Sequence, residues 1–208
     1  MRIQELLSKV KGIQTLESIR SALKVDRTRA IYLVHRLKSK GYVKTKYASD
    51  KKRIYYISPE NVVGGISYVD IINSYSPIKL SSSEVYKIYG REPSIEETLV
   101  YAVNTRKVRY ILAALVLFRK IKNWSDLYRL AKENNLAREV GALYDIARIK
   151  VGKVRRMEKR FRNHASPLKK DSYRFIIPNL QSNDFRDIES RWKVYIPFNE
   201  NDLEEYKK

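Results

Sequence analysis

Cysteine does not occur anywhere in the 208 residues, which excludes disulfides and the common zinc knuckles and suits an intracellular protein of either redox state. No segment has the charged-then-apolar design of a signal peptide. The longest apolar run, ILAALVLF at 111–118, is too short to span a bilayer. The expectation is a soluble, cytoplasmic chain. Groupings that carry catalysis are equally scarce. The two histidines, His35 and His164, lie far apart without partner spacing, and there is neither a phosphate loop nor a glycine-rich nucleotide turn. Glu96-Glu97 and Glu204-Glu205 are adjacent acid pairs, and a helix N-terminus accounts for the first. A tyrosine recombinase would suit the many arginines and 16 tyrosines, but it needs a longer catalytic domain and an ordered Arg, His, Arg, Tyr set that is not found. No enzymatic activity, cofactor or metal site is expected.

Acidic residues are also few: 23 Asp and Glu against 43 Lys and Arg leave a net charge of +20. Residues 1–60 carry 15 basic and 5 acidic side chains, residues 61–160 carry 19 and 10, and residues 161–208 carry 9 and 8, so the last segment is nearly neutral. A field of this sign concentrates polyanions, of which nucleic acid is the commonest inside a cell; a lysine-rich or thermophile-type surface is the alternative. With 43% hydrophobic and 32% charged residues the chain is globular, and its length suits one domain with an appendage or two modest domains.

In the first sixty residues Ile3, Leu6, Leu7 and Val10 share a helical face, and Gly12 is expected to end that helix. Thr15 can cap a second helix with the stripe Leu16, Ile19, Ala22 and Leu23; Ser18 stands where a capping box would have Glu. Asp26 is an N-cap for a third helix running towards Lys40, with Gly41 as its left-handed stop. Ala30, Leu33, Val34 and Leu37 form its inner face. Thr28, Tyr32, His35, Arg36 and Ser39 lie opposite, with Arg27 and Arg29 in the first turn, and no acid occurs between Asp26 and Asp50. GYVKTKY and RIYYIS then alternate as two strands joined by ASDKK, which places Lys51, Lys52 and Arg53 at or beside a hairpin tip.

The stretch LKVDRTRAIYLVHRLKSKGYVKTKYASDKKRIYYIS resembles winged helix-turn-helix transcriptional regulators: a polar helix start, a Leu/Val core, then R-L-x-x-K-G-aromatic-V into the wing. The resemblance covers residues 1–60. It implies that the third helix enters the major groove of double-stranded DNA, with Arg27, Thr28, Arg29, Tyr32, Arg36 and, more weakly, His35 as the contacting residues. Lys51, Lys52 and Arg53 would meet phosphate.

Gly64-Gly65 is the natural joint, giving a first domain at 1–63 and a second, mostly helical one at 66–208. Residues 66–93 read as short strands or turns. SIEETLVYAV opens with a capping box at Ser94 and Glu97, KVRYILAALVLFRKI reads as one apolar helix, and NWSDLYRLAKENN as a helix capped by Ser125. LAREVGALYDIARI is a further helix, and Ala113, Ala114, Gly141 and Ala142 supply small-residue contacts. SYRFIIPNL and SRWKVYIPFN read as strands, Trp192 and Phe198 as core, and ENDLEEYKK as a frayed end. The overall class is mostly α with a small β component.

The order SIEETLVYAV, an Ala/Leu helix, WSDLYRLAKENNLAREVGALYDIA and RWKVYIPF resembles the C-terminal domain of AbiEi-type antitoxins of type IV toxin-antitoxin systems. Where that family has Pro-Glu-Arg, this chain has Pro93-Ser94-Ile95-Glu96. The resemblance implies an autorepressor whose second domain counteracts a nucleotidyltransferase-like toxin, a functional partner; a homodimer is compatible with it.

Eight of the fifteen residues of RIKVGKVRRMEKRFR at 148–162 are basic, and Ile146, Ile149, Val154, Met157 and Phe161 give a rough apolar stripe. Arg148, Lys150, Lys153, Arg155, Arg156 and Lys159 are therefore candidates for a second phosphate-contacting surface. An RNA contact, an anionic-membrane helix and a solvated face compete with it. The function expected is sequence-specific recognition of double-stranded DNA by a transcriptional regulator. A replication or mobile-element initiator and a non-enzymatic protein-interaction scaffold remain as alternatives.

Overall fold

The computed structural model describes residues 2–59, 65–81, 87–89 and 91–206. It is mostly α-helical with a small β component. The described residues of Met1–Ser67 and Tyr86–Glu92 form one compact unit, and those of Tyr68–Val85 and Pro93–Lys208 form another. Gly64, half of the expected joint, lies outside the described residues. Gly65 belongs to the first unit, where Ile66 and Ile88 exchange backbone hydrogen bonds of 3.2 and 3.0 Å.

The first unit packs helices α1 (Ile3–Val10), α2 (Leu16–Leu23) and α3 (Arg27–Lys38) against a three-stranded antiparallel sheet. Gly12 does more than end α1: with φ +103° it turns the chain into a short strand, β1 (Gly12–Gln14), which the sequence did not signal. β1 pairs with β3 (Arg53–Ile57), which also pairs with β2 (Val43–Tyr47), so the order is β1-β3-β2 with Gly12 and Val43 both opposite Ile57. Leu6, Leu7, Val10, Ile19, Ala30, Leu33, Leu37, Val43 and Ile57 close the core. Ala22, expected in the α2 stripe, is exposed instead, and Ile19 is the buried residue of that helix. The Thr15 cap is complete, because the Ser18 hydroxyl accepts from Thr15 N–H at 2.9 Å while the Thr15 hydroxyl accepts from Ser18 N–H at 3.2 Å. A serine thus does the reciprocal work usually given to Glu.

The second unit begins with a helix where strands or turns were expected: α4 (Tyr68–Tyr75), which buries Val69, Ile71 and Ile72. α5 (Ile95–Asn104) starts at the expected Ser94–Glu97 capping box. The following apolar segment is not one helix; α6 (Val108–Ala114) tightens into a 3₁₀ turn at Leu115–Arg119. The cap of α7 (Trp124–Glu133) is Asn123, whose side chain accepts from Asp126 N–H at 2.9 Å, rather than Ser125. α8 (Ala137–Lys150) runs through the centre with Val140 to Ala147 buried. Gly141 is required there, since a Cβ would lie 2.4 Å from the Trp192 ring.

α9 (Lys159–Ala165) and α10 (Arg186–Trp192) follow, and β4 (Arg174–Phe175) pairs in parallel with β5 (Val194–Tyr195). Ser190–Trp192, expected in a strand, closes α10 instead. The described part of the terminal stretch is packed rather than frayed. Asn201–Tyr206 forms a 3₁₀ turn with Leu203 and Tyr206 buried, and the Tyr206 hydroxyl donates to Leu112 C=O at 2.7 Å. Burial pushes this phenol up to about 12. No helix among the described residues is long and apolar enough to cross a membrane.

Glu139, on the first turn of α8, is 2% exposed and its Oε2 has no hydrogen-bond partner among the described residues. Burial pushes its carboxyl above the ordinary range, against the pull of Arg106, Arg174 and Arg138. A carboxyl raised on folding favours the folded state fully below its unfolded value and loses that contribution as pH rises through its folded value. Glu139→Gln should therefore gain stability relative to the native chain as pH is raised across that window. Paired urea titrations read the difference, and a pH-independent difference would show that the carboxyl is not raised.

Candidate nucleic-acid interface

The outward face of α3 is fixed by its inward one. Ala30, Leu33, Val34 and Leu37, all at most 5% exposed, bind the helix to the core and so turn Arg27, Thr28, Arg29, Ile31, Tyr32 and His35 to solvent. Arg36 is half-buried at the edge of this face. The Asp26 carboxylate accepts from Arg29 N–H at 2.8 Å and fixes the start of the helix. The helix proper ends at Lys38, with Ser39 as its cap and Gly41, at φ +82°, turning the chain into β2. The Arg29 guanidinium lies 5.3 Å from the centroid of the Tyr32 ring, which restrains both side chains. Arg27 and Arg29 form no ion pair among the described residues.

The hairpin tip is a tight turn. Lys51 N–H donates to Ala48 C=O and Ala48 N–H to Lys52 C=O, both at 2.9 Å, and Lys51 sits in the left-handed region at φ +61°. The three cations there are not equivalent. Lys51 is exposed. Lys52 pairs with Asp50 at 2.9 Å, which holds the Asp50 carboxyl below the usual range and raises the lysine. Arg53 donates to the Tyr47 hydroxyl at 2.6 Å and lies over that ring, and its hydrogen bonds to Tyr47 and Tyr55 raise it further.

Helix and hairpin meet in one open groove of about 430 Å³, bordered by Arg27 and Ile31 of α3, Lys52, Arg53 and Tyr55 of the hairpin, and the start of α2 at Thr15–Glu17. The structure thus brings Arg27 together with Lys52 and Arg53. Thr28, Arg29, Tyr32 and His35 share the exposed helix face beyond them. Sequence reasoning missed Ile31, which is 49% exposed. Its signal was present: it stands four residues from Arg27, off the apolar stripe, on the polar side of the wheel.

The second basic surface is rearranged. The segment 148–162 is not a single helix, because Gly152 (φ +69°) and Lys153 (φ +51°) follow the end of α8 and turn the chain into a stretch, neither helix nor strand, that lasts to α9. Its apolar stripe breaks accordingly: Ile146, Met157 and Phe161 are buried, but Ile149 is exposed. Arg148, Lys153, Arg155, Arg156 and Lys159 are exposed, whereas Lys150 is half-buried and paired with Glu200 at 2.7 Å. His164 lies on α9 of the second unit and His35 on α3 of the first.

Compared with family models, with curated proteins and with solved structures, the chain matches none. The chemistry of the groove is what remains to read. It offers guanidinium forks and ammonium groups to anionic oxygens, one exposed apolar side chain, and no cluster of His, Cys, Asp or Glu able to hold a metal among the described residues.

The outward face depends on the cap of α3. Asp26→Ala should cost about 0.5–2 kcal/mol of stability, as removal of a side-chain N-cap does elsewhere, and Asp26→Asn should recover most of it. Thermal denaturation reads both, and equal losses in the two variants would assign the effect to charge rather than to the cap.

Proposed function

We propose that the first unit is a winged helix-turn-helix that binds double-stranded DNA, and that the chain is a sequence-specific transcriptional regulator. The observation that carries this reading is the groove in which the first turn of α3 and the tip of the hairpin present cations side by side. An α-helix of about 10–12 Å diameter fits the major groove, and a neighbouring hairpin then reaches the flanking backbone. In this arrangement Arg27 and Arg29 face base edges, Thr28 and Tyr32 support them, and His35 and Arg36 lie towards the far end of the contact. Lys51, Lys52 and Arg53 meet phosphates. A scaffold that docks protein with this face would not need Arg27 and Arg29 exposed there with no ion pair among the described residues.

The regulator is read as an autorepressor of the AbiEi antitoxin type, with a nucleotidyltransferase-like toxin as its functional counterpart. Footprinting on the DNA upstream of its own reading frame separates this from a replication or mobile-element initiator, which would protect an origin instead.

On a duplex selected from random sequence, Arg27→Ala or Arg29→Ala should each cost about 1–3 kcal/mol of affinity and little on unrelated DNA. Equal losses on both would remove base readout from these residues. The hairpin is tested by salt dependence. Lys51→Ala should lower the slope of log K against log salt by about 0.9, the value for one phosphate contact. Lys52→Ala should lower it by less, because this lysine exchanges its Asp50 partner for phosphate. An unchanged slope for Lys51→Ala would leave the hairpin tip in solvent.

A further inference from the structure

We propose that the second unit carries a separate site for single-stranded nucleic acid, which holds one unstacked base in the cleft between α7 and α9 and the adjoining phosphates along residues 153–160. The backbone of that stretch is clamped from inside. The Tyr144 hydroxyl donates to Arg155 C=O at 3.1 Å and accepts from Met157 N–H at 2.6 Å. The Arg119 guanidinium donates to Gly152 C=O at 3.0 Å and to Val151 C=O. Met157 is buried in the core and Val154 packs against it. With its inner side fastened, the stretch displays Lys153, Arg155, Arg156, Lys159 and Arg160 outward, all exposed, with Glu158 as the one acid among them.

None of these five cations forms an ion pair among the described residues, although other cations of the same unit do. Arg129 bridges Asp126 and Glu133, Arg162 and Arg191 share Asp145, and Lys150 meets Glu200. Like charges held this close on a fixed backbone repel one another, and a polyanion relieves that repulsion.

The stretch leads directly into the cleft, which Glu158 and Arg160 also border. Its volume is about 260 Å³ and its walls include Trp124, Tyr128, Phe161 and His164, with Lys132 at the margin. Trp124 and Phe161 meet edge to face at 5.6 Å and make a firm floor, while the Tyr128 and His164 rings lie 5.5 Å apart, tilted by 37°. His164 is exposed. A base enters this cleft only by leaving its stack and its pairing partner, so the strand that uses it must be single. Base–aromatic stacking supplies what charge alone does not, about 1–3 kcal/mol per base.

The test is fluorescence anisotropy of labelled ten-nucleotide DNA and RNA strands with the full chain at low salt, with inorganic polyphosphate of equal charge as competitor. Binding is expected, with polyphosphate competing at least fivefold less well. Arg155→Ser combined with Arg156→Ser should lower the salt slope by about 1.4, at about 0.7 for each single-strand phosphate contact. Tyr128→Ala should weaken binding about 5- to 150-fold, the factor that corresponds to one stacked base. Because Tyr128 also packs on Phe161, the exposed His164→Ala provides the second reading and should weaken binding in the same direction.

No binding by the native chain, or binding that polyphosphate displaces equally well and that Tyr128→Ala and His164→Ala leave unchanged, would overturn the site. The site does not rest on the duplex reading: the double variant Arg27→Ala with Arg29→Ala should keep its affinity for the strands while losing the preferred duplex. Loss of the strands in that variant would move them to the first unit and overturn the proposal.

Discussion

Scarcity of acid is the constraint around which this chain is organised. With 23 carboxylates against 43 cations, most acids that the structure buries serve as internal fasteners. Glu96 accepts from the backbone N–H groups of Lys122 and Asn123, and Glu189 accepts from Ile196 N–H at 2.7 Å. Asp145 receives Trp192 Nε1–H at 2.8 Å together with Arg162 and Arg191. Asp26 and Glu97 are spent on helix starts. A buried carboxylate is tolerable only when its oxygens are hydrogen-bonded, and Glu139 marks where that provision runs out. Cations left without carboxylates are held at the surface, where they act on whatever anion is nearby.

Two surfaces of this kind result, and they differ in geometry. On the first unit the cations ride on a helix whose orientation is set by a buried apolar stripe, beside a hairpin that borders a common groove. On the second they ride on a non-helical backbone pinned by a tyrosine hydroxyl and an arginine, and on the first turn of α9. A convex rod with a neighbouring projection suits a duplex groove, and a pinned basic edge next to a cleft with aromatic walls suits a lone strand. Charge by itself would not separate these ligands; in the proposals made above, the backbone beneath the charge does.

Much of the first unit was legible because its signals are local. The α3 stripe, the Asp26 cap and the alternation of the hairpin each occupy a short window, and the structure reproduces them. β1 was not legible: three residues carry no alternation, and its partner β3 lies far along the chain. α4 was obscured by flanks that hold several serines and Pro77, and the 3₁₀ turn after α6 is a matter of tertiary packing that an even apolar run cannot reveal. In the basic segment the error was one of period. A helical count across Gly152 assumed continuity that two successive left-handed residues remove, so the cations were identified but not the backbone that presents them. Tyr206 was missed because its partner, the Leu112 carbonyl, is distant in sequence.

Lysine occupies backbone conformations usually left to glycine at Lys24, Lys51, Lys153 and Lys193. Such a position costs a residue with a side chain about 1 kcal/mol. At Lys193 the side chain returns that cost: its ammonium donates to the carbonyls of Leu168, Lys169 and Asp171, at 2.8 Å for the last, while its own N–H closes α10 on Glu189. The residue that stops the helix is therefore also the clasp of a loop more than twenty positions earlier. Opening either element breaks contacts that hold the other, which couples the two in unfolding.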